Sequence, residues 1–299
     1  MQKIMTPSSF LLHDAQKIRQ RRGLERNKAM RKGTVVTAHG ALTYMESRGD
    51  GPAVLFIHGN SSCKEMFARQ FAAPMAERYR FIAFDLPGHG ESSNAPVPGK
   101  TYSINGFAAA AMELLDALSV EKAAVMGWSL GGHAALEMMA RWKGAVAAWI
   151  TGTPPAGGAD MGEAFLPSDK MGLTFQEKFT EEDARTQVQG GLGEGVTMEP
   201  WMLTASLRAD GRFRPLMLQS AIEGRDLDGR KIAETATQPL AVVTGGAEPY
   251  VNNAFLEKVG YGNLWDGKVH VLDGLGHAPF WQAPEMFNPL FERFLHEVC

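Results

Sequence analysis

Short, wholly apolar blocks alternate with longer mixed stretches along this chain, and that alternation restricts its fold more than any other feature. Ala53-Val54-Leu55-Phe56-Ile57, Phe81–Phe84, Ala123–Met126 and Ala145–Ile150 carry no polar face. Strands of that kind are buried on both sides, as in a parallel sheet with helices over each face. Helical stretches fall between them at Phe67–Tyr79, Ile104–Leu118 and Gly132–Trp142, and Thr34–Ala38 with Ala41–Ser47 predict a leading hairpin around His39-Gly40. From Ala156 to about Thr237 no strand-like run occurs, Gly157-Gly158 and Gly190-Gly191 interrupt the chain, and several helices are expected. Alternation resumes at Leu240–Val243 and Lys268–Leu272, ahead of a terminal helix around Ala283–Val298. The expected fold class is α/β: a mostly parallel central sheet, helices on both faces, and a helical cap inserted after the sixth or seventh strand. The boundaries are a basic N-terminal extension at 1–33, a core at 34–155 and 238–299, and a cap at 156–237.

At 299 residues and 44% hydrophobic content the chain has ample material for a core, and a net charge of −3 calls for neither nucleic acid nor a membrane surface. The charge is uneven. Residues 1–33 hold nine Lys/Arg against Asp14 and Glu25, a surplus of seven positive charges that leaves the remainder at −10. This leader lacks the apolar core and cleavage site of a secretory signal. A solvated helical arm, an upstream start codon and a transit-peptide-like segment all fit its composition. No run reaches the 18 apolar residues of a spanning helix. Cys63 and Cys299 form no CxxC pair and read as free thiols of a reducing cytoplasm.

Gly127-Trp128-Ser129-Leu130-Gly131 lies between a buried strand and a helix. In that context G-x-S-x-G forms a turn so tight that only small residues fit two before and two after the serine. A serine hydroxyl is a weak nucleophile until an adjacent base, itself held by a carboxylate, takes its proton. The base is expected late in the chain, after the last strand, where Gly276-His277-Ala278-Pro279-Phe280 stands. The carboxylate is expected between the two, and Gly245-Gly246-Ala247-Glu248-Pro249 closes a strand there. Glu248 is the first candidate, with Asp273 and Asp160 as rivals. Two N–H donors are needed where negative charge develops, and the backbones of Leu130 and Asn60 are placed to supply them. Asn60 and Trp128 are the candidate substrate contacts, Asn60 through its carboxamide.

His58, His89 and His133 read as structural, His133 packing one helical turn after Ser129. No H-E-x-x-H or H-x-H-x-D-H pattern, P-loop or G-x-G-x-x-G after a first strand is present, so no metal or nucleotide cofactor is expected. Cys63 reads as a packed thiol. The cap's Met161, Met171, Met198, Met202 and Met217, with Phe165, Phe175, Phe179, Trp201 and Leu203, suit either an alkyl-binding pocket or plain cap–core packing.

The ordered set His58-Gly59, Asp85–Gly90, Gly127–Gly131, Gly245–Glu248 and Gly276-His277 resembles the α/β-hydrolase superfamily over residues 34–299. Serine at the elbow separates it from the haloalkane dehalogenases and epoxide hydrolases, which place aspartate there. His58-Gly59-Asn60-Ser61-Ser62, Gly127–His133, Ile150–Pro155, Glu248-Pro249, Gly262-Asn263-Leu264-Trp265 and Gly276–Phe280 are similar to the metal-free N-acyl-homoserine lactonases of that superfamily. The resemblance implies an α/β-hydrolase fold and a Ser129–His277–Glu248 triad that opens the lactone ring of quorum-sensing signals through an acyl-enzyme. The partner it implies is a small molecule. A general carboxylesterase for short or medium acyl esters is the alternative, and a non-catalytic ligand receptor on the same fold is a third reading.

Overall fold

The central strands are apolar on both faces because helices cover both. Along each of them, neighbouring side chains enter opposite layers. In the computed structural model, which describes residues 30–193 and 195–299, the strands are β1 (Arg31–Thr37), β2 (Gly40–Glu46), β3 (Ala53–Ile57), β4 (Arg80–Phe84), β5 (Ala123–Trp128), β6 (Ala145–Thr151), β7 (Leu240–Gly245) and β8 (His270–Leu272). They form one eight-stranded sheet in the order β1-β2-β4-β3-β5-β6-β7-β8. β1 and β2 pair antiparallel, as do β2 and β4, while every pair from β4 to β8 is parallel.

Leu55 and Ile57 of β3, Val125 of β5, Ala148 and Ile150 of β6, and Val242 of β7 pack into one layer. Helices α1 (Ile104–Ala117) and α2 (Leu130–Arg141) cover it. Val54, Phe56, Met126, Trp149 and Val243 enter the other layer. Across the cap come α3 (Glu181–Leu192), α4 (Pro200–Arg208), α5 (Phe213–Ile222) and α6 (Gly229–Thr235), and α7 (Pro284–Val298) closes the chain. Phe287, Phe291 and Phe294 of α7 share one helical face and meet the fully buried Trp149 edge-on, at centroid distances of 5.2, 5.0 and 5.4 Å.

The structure amends the sequence reading at several points. The expected helix Phe67–Tyr79 is broken into a 3-10 turn (Lys64–Phe67), a single α turn (Ala68–Phe71) and a second 3-10 turn (Pro74–Glu77). Pro74 is the cause: its ring drives Ala73 to φ −80, ψ 153, outside the helical region. β1 begins at Arg31, so Arg31–Gly33 belong to the sheet rather than to the extension. Residues 1–29, the bulk of that basic segment, lie outside the described residues. β8 is shorter than expected, and the cap enters after the sixth strand. Phe165 of the cap also makes an isolated antiparallel bridge to Val251. Among the described residues no helix is long and apolar enough to cross a membrane.

Candidate active site

β5 ends where the chain must reverse into α2 within a single turn, and the two glycines of the motif are steric necessities there. A Cβ on Gly127 would lie 2.2 Å from the Gly131 carbonyl oxygen, and one on Gly131 would lie 2.0 Å from that of Ile57. Ser129 between them sits at φ 54, ψ −119, a region non-glycine residues rarely occupy and one that costs about 1–3 kcal/mol. The surroundings hold it there. The Ser129 amide donates to Thr151 O at 2.9 Å, and its carbonyl accepts from Gly132 N and Thr153 Oγ1, both at 2.9 Å.

His58-Gly59-Asn60 leaves the end of β3 against this elbow. A Cβ on Gly59 would stand 3.2 Å from Ser129 Cβ. Neither the Asn60 nor the Leu130 amide donates a hydrogen bond to any described residue. Asn60, Ser129 and Leu130 line one cavity, and Leu130 stands at the N-terminus of the 12-residue α2, where the helix dipole favours an anion.

The acid and the histidine meet through paired loops. Gly246 N donates to Leu272 O and Ala247 N to Leu275 O, each at 2.8 Å. These bonds tie the segment after β7 to the segment after β8. His277 Nδ1 consequently lies 2.8 and 2.9 Å from the two carboxylate oxygens of Glu248. Both side chains are buried, and Glu248 Oε1 also accepts from the Tyr250 amide at 3.0 Å. Gly152, at φ +60, makes room for the imidazole: a Cβ there would fall 2.8 Å from His277 Cε1 and Nδ1. The rival acids stand elsewhere, Asp160 paired with Arg230 at 2.8 Å and Asp273 exposed.

Ser129 and His277 line the same cavity, yet Ser129 Oγ and His277 Nε2 form no hydrogen bond with each other or with any other described residue. A serine χ1 rotation is a change between staggered wells, and such contacts characteristically tighten only when substrate is bound.

Two sequence-assigned substrate contacts prove to have other engagements. The Asn60 carboxamide, expected to be free for a substrate carbonyl, donates to Thr174 O at 3.1 Å and accepts from Ser61 Oγ at 2.6 Å. One N–H and one lone pair of that carboxamide are thus engaged within the protein, although Asn60 still lines the cavity. Trp128 lines the cavity, but its indole N–H donates to His277 O at 2.9 Å, so it also holds the histidine loop.

Three cap residues that the sequence did not single out secure the loop that follows β3. Gln187 donates to Asn60 O at 3.1 Å, and the Thr174 carbonyl receives the Asn60 carboxamide. Arg214, 1% exposed, donates to Ser61 Oγ from Nε and Nη2 at 3.1 and 2.7 Å. It also donates to the carbonyls of Gln176 and Glu177, and its guanidinium lies 3.6 Å from the centre of the Phe179 ring. Ser61 itself is held at φ 54. A buried arginine without a carboxylate partner gives no motif; only the contact, made across 153 positions, reveals it.

The cavity spans about 770 Å³ between cap and core, within the range of small-molecule sites. Met161, Phe165, Met171, Phe175, Met202 and Met217 line it, so these cap residues face the pocket. Met198 and Trp201 instead pack against the core. His133, expected to pack, also lines the cavity.

His58 and His89 are structural, as read. Burial holds both below the usual histidine range, and His58 accepts from the Leu86 amide at 3.0 Å. Among the described residues, Cys63, Glu65 and Asp85 form a group with metal-like spacing. Its atoms are committed: the Lys64 ammonium donates to Asp85 Oδ2 at 2.7 Å, and burial pushes the Cys63 thiol far up.

Comparison with known proteins agrees with this fold. A model of the alpha/beta hydrolase family matches residues 54–290. The crystal structure of the N-acyl homoserine lactonase AidH complexed with N-butanoyl homoserine superposes with a TM-score of 0.87 at 40% identity, over 90% of this chain and 97% of that one. A serine-to-glycine variant of AidH holding N-hexanoyl homoserine lactone matches equally well. A pimeloyl-[acyl-carrier protein] methyl ester esterase of Nitrosospira multiformis is 33% identical over 265 residues, covering 84% of this chain and 97% of that protein. An uncharacterized protein of Mycobacterium tuberculosis is 36% identical over 101 residues, and that match spans 28% of its length. The chain belongs to the alpha/beta hydrolase family.

Proposed function

We propose that this protein is a serine hydrolase that opens the lactone ring of N-acyl-homoserine lactones, with Ser129 as nucleophile, His277 as base and Glu248 as the residue that orients it. The observation carrying this reading is the His277 Nδ1–Glu248 pair at 2.8 Å, beside a strained serine with two unpaired amides. The Glu248 carboxylate fixes the tautomer that leaves Nε2 as proton acceptor and stabilises the imidazolium that follows. Ser129 Oγ attacks the ring carbonyl while its proton passes to Nε2. The Asn60 and Leu130 amides hold the developing oxyanion. On collapse the ring C–O bond breaks, and the imidazolium protonates the oxygen, which remains tethered as an alcohol. Water then gives a proton to Nε2 and attacks the acyl-enzyme, releasing the N-acyl-homoserine and the serine.

The substrate assignment rests on the 40% identity to AidH over nearly all of both chains, and on a cavity large enough for an acyl tail. Ring opening followed by mass spectrometry in excess chelator tests it. Turnover that persists in chelator and vanishes in Ser129→Ala is expected. Full inhibition by chelator, or activity in the variant, defeats it. Likeness to the methyl ester esterase favours a second reading, a carboxylesterase for linear esters. Comparing kcat/KM for acyl-homoserine lactones with p-nitrophenyl esters decides between them.

A further inference from the structure

One wall of the cavity is a single face of α2. Leu130, His133, Leu136 and Glu137 follow Ser129 at helical spacing, and all four line the pocket. Met217 and Leu218 of α5 line it as well, as does Ile104. Each Glu137 oxygen already has a partner, Oε1 accepting from Leu227 N at 2.7 Å and Oε2 from Arg141 Nε at 2.9 Å. His133 is different. Its imidazole makes no hydrogen bond to any described residue, and neither ring nitrogen belongs to the sealed, unpaired polar atoms of the interior. A polar ring whose neighbours on this wall are Leu130, Leu136 and an already paired Glu137 finds its partner within the cavity, in water or in a ligand.

Resting on the lactonase reading above, we propose that His133 selects substrates whose acyl chain carries a keto or hydroxyl oxygen on its third carbon. The reach fits. From the attacked ring carbonyl, the path through the ring α-carbon, the amide nitrogen, the acyl carbonyl and the second carbon reaches the third carbon in five bonds. At about 1.2 Å of extension per bond that is about 6 Å. Ser129 caps α2 and His133 follows it by four residues, about 6 Å of helical rise. A chain laid along α2 from Ser129 brings that oxygen beside the imidazole. Burial alone lowers the His133 pKa to about 4, so at neutral pH the ring is uncharged. It then offers one N–H donor and one acceptor, which suits a keto oxygen and a hydroxyl alike.

The test compares kcat/KM for 3-oxo and unsubstituted acyl-homoserine lactones of equal chain length, in wild type, His133→Leu and His133→Gln. The wild type is expected to favour the 3-oxo substrate about 3–10-fold, the worth of one neutral hydrogen bond. His133→Leu brings the ratio to about 1, and His133→Gln, which keeps a donor and an acceptor, restores part of it. General damage to the fold or to Ser129 lowers both substrates together, so the ratio is its own control. A ratio of 1 in wild type, or an unaltered preference in His133→Leu, overturns the assignment and leaves the lactonase reading intact. If the wild type opens neither lactone, the lactonase reading fails and this inference fails with it.

Discussion

Replacing Arg214 by methionine separates the cap's role as a cover from its role in shaping the site. The guanidinium is almost wholly buried, and burial, opposed in part by the charge of Asp210, lowers its pKa to about 10, so it remains charged at neutral pH. Methionine keeps the apolar stem but leaves the carbonyls of Gln176 and Glu177 unpaired and removes two donors from Ser61 Oγ. Losing hydrogen bonds to two part-buried carbonyls and to Ser61 Oγ at about 0.5–1.5 kcal/mol each, offset by the relief of burying no charge, gives a net loss of about 1–3 kcal/mol. At about 2.1 cal/mol/K of unfolding entropy per residue, that corresponds in a chain of 299 residues to a Tm lower by about 2–5 °C. The functional effect comes through Ser61, whose hydroxyl also engages the Asn60 carboxamide. With that loop loosened, the Asn60 amide no longer stands ready for the oxyanion, and kcat should fall about 10–100-fold while KM moves less. Thermal melts and steady-state ring-opening rates, measured on Arg214→Met, Ser61→Ala and the double variant, form the assay. A coupling energy of about 1 kcal/mol or more in kcat is expected from the cycle. A variant that melts lower but keeps its kcat, or strictly additive effects, would refute the link between cap and oxyanion loop.

Other perturbations have outcomes fixed by the same structure. Glu248→Gln keeps the shape of the acid but not its charge, so kcat should drop about 10²–10⁴-fold, with circular dichroism unchanged; activity within tenfold of wild type contradicts the assigned role. Gly152→Ala drives a Cβ to 2.8 Å from the His277 ring and demands an unfavourable φ, so kcat should fall at least about tenfold. Trp149→Ala empties the centre of the aromatic layer and should cost about 3–5 kcal/mol in urea unfolding. His58 and His89 are held neutral by burial in the fold and take up protons when it unfolds. Their contribution is present above the ordinary histidine pKa of about 6.5 and is lost as pH falls below it, so the urea midpoint should drop between pH 7.5 and 5.5. A urea midpoint that does not move over that interval excludes this source of acid sensitivity.

What was legible in the sequence was whatever a local steric or solvation demand imposes. Gly127 and Gly131 announce the elbow because a side chain at either position collides with backbone. Unbroken apolar runs announce the inner strands because both of their faces are covered. The order of Ser129, Glu248 and His277 along the chain then suggested their convergence, and the Glu248–His277 contact is present. What escaped the reading depends on partners distant in sequence. Arg214 looks like any cap arginine until its contact with Ser61 is seen. Asn60 looked free because its acceptor, Thr174 O, belongs to the cap. His133 was read as packing because position i+4 on a helix does not reveal whether a neighbour or a cavity stands opposite. Pro74 was a local signal that the reading passed over, and it breaks the expected helix.

The central claim is that Ser129 is activated by the His277–Glu248 pair. It is tested most directly by treating the protein with a fluorophosphonate and mapping the adduct by tandem mass spectrometry. The account predicts one phosphonyl group, on Ser129, formed rapidly in wild type and far more slowly in His277→Ala. An unlabelled Ser129, or labelling at the same rate without His277, contradicts it.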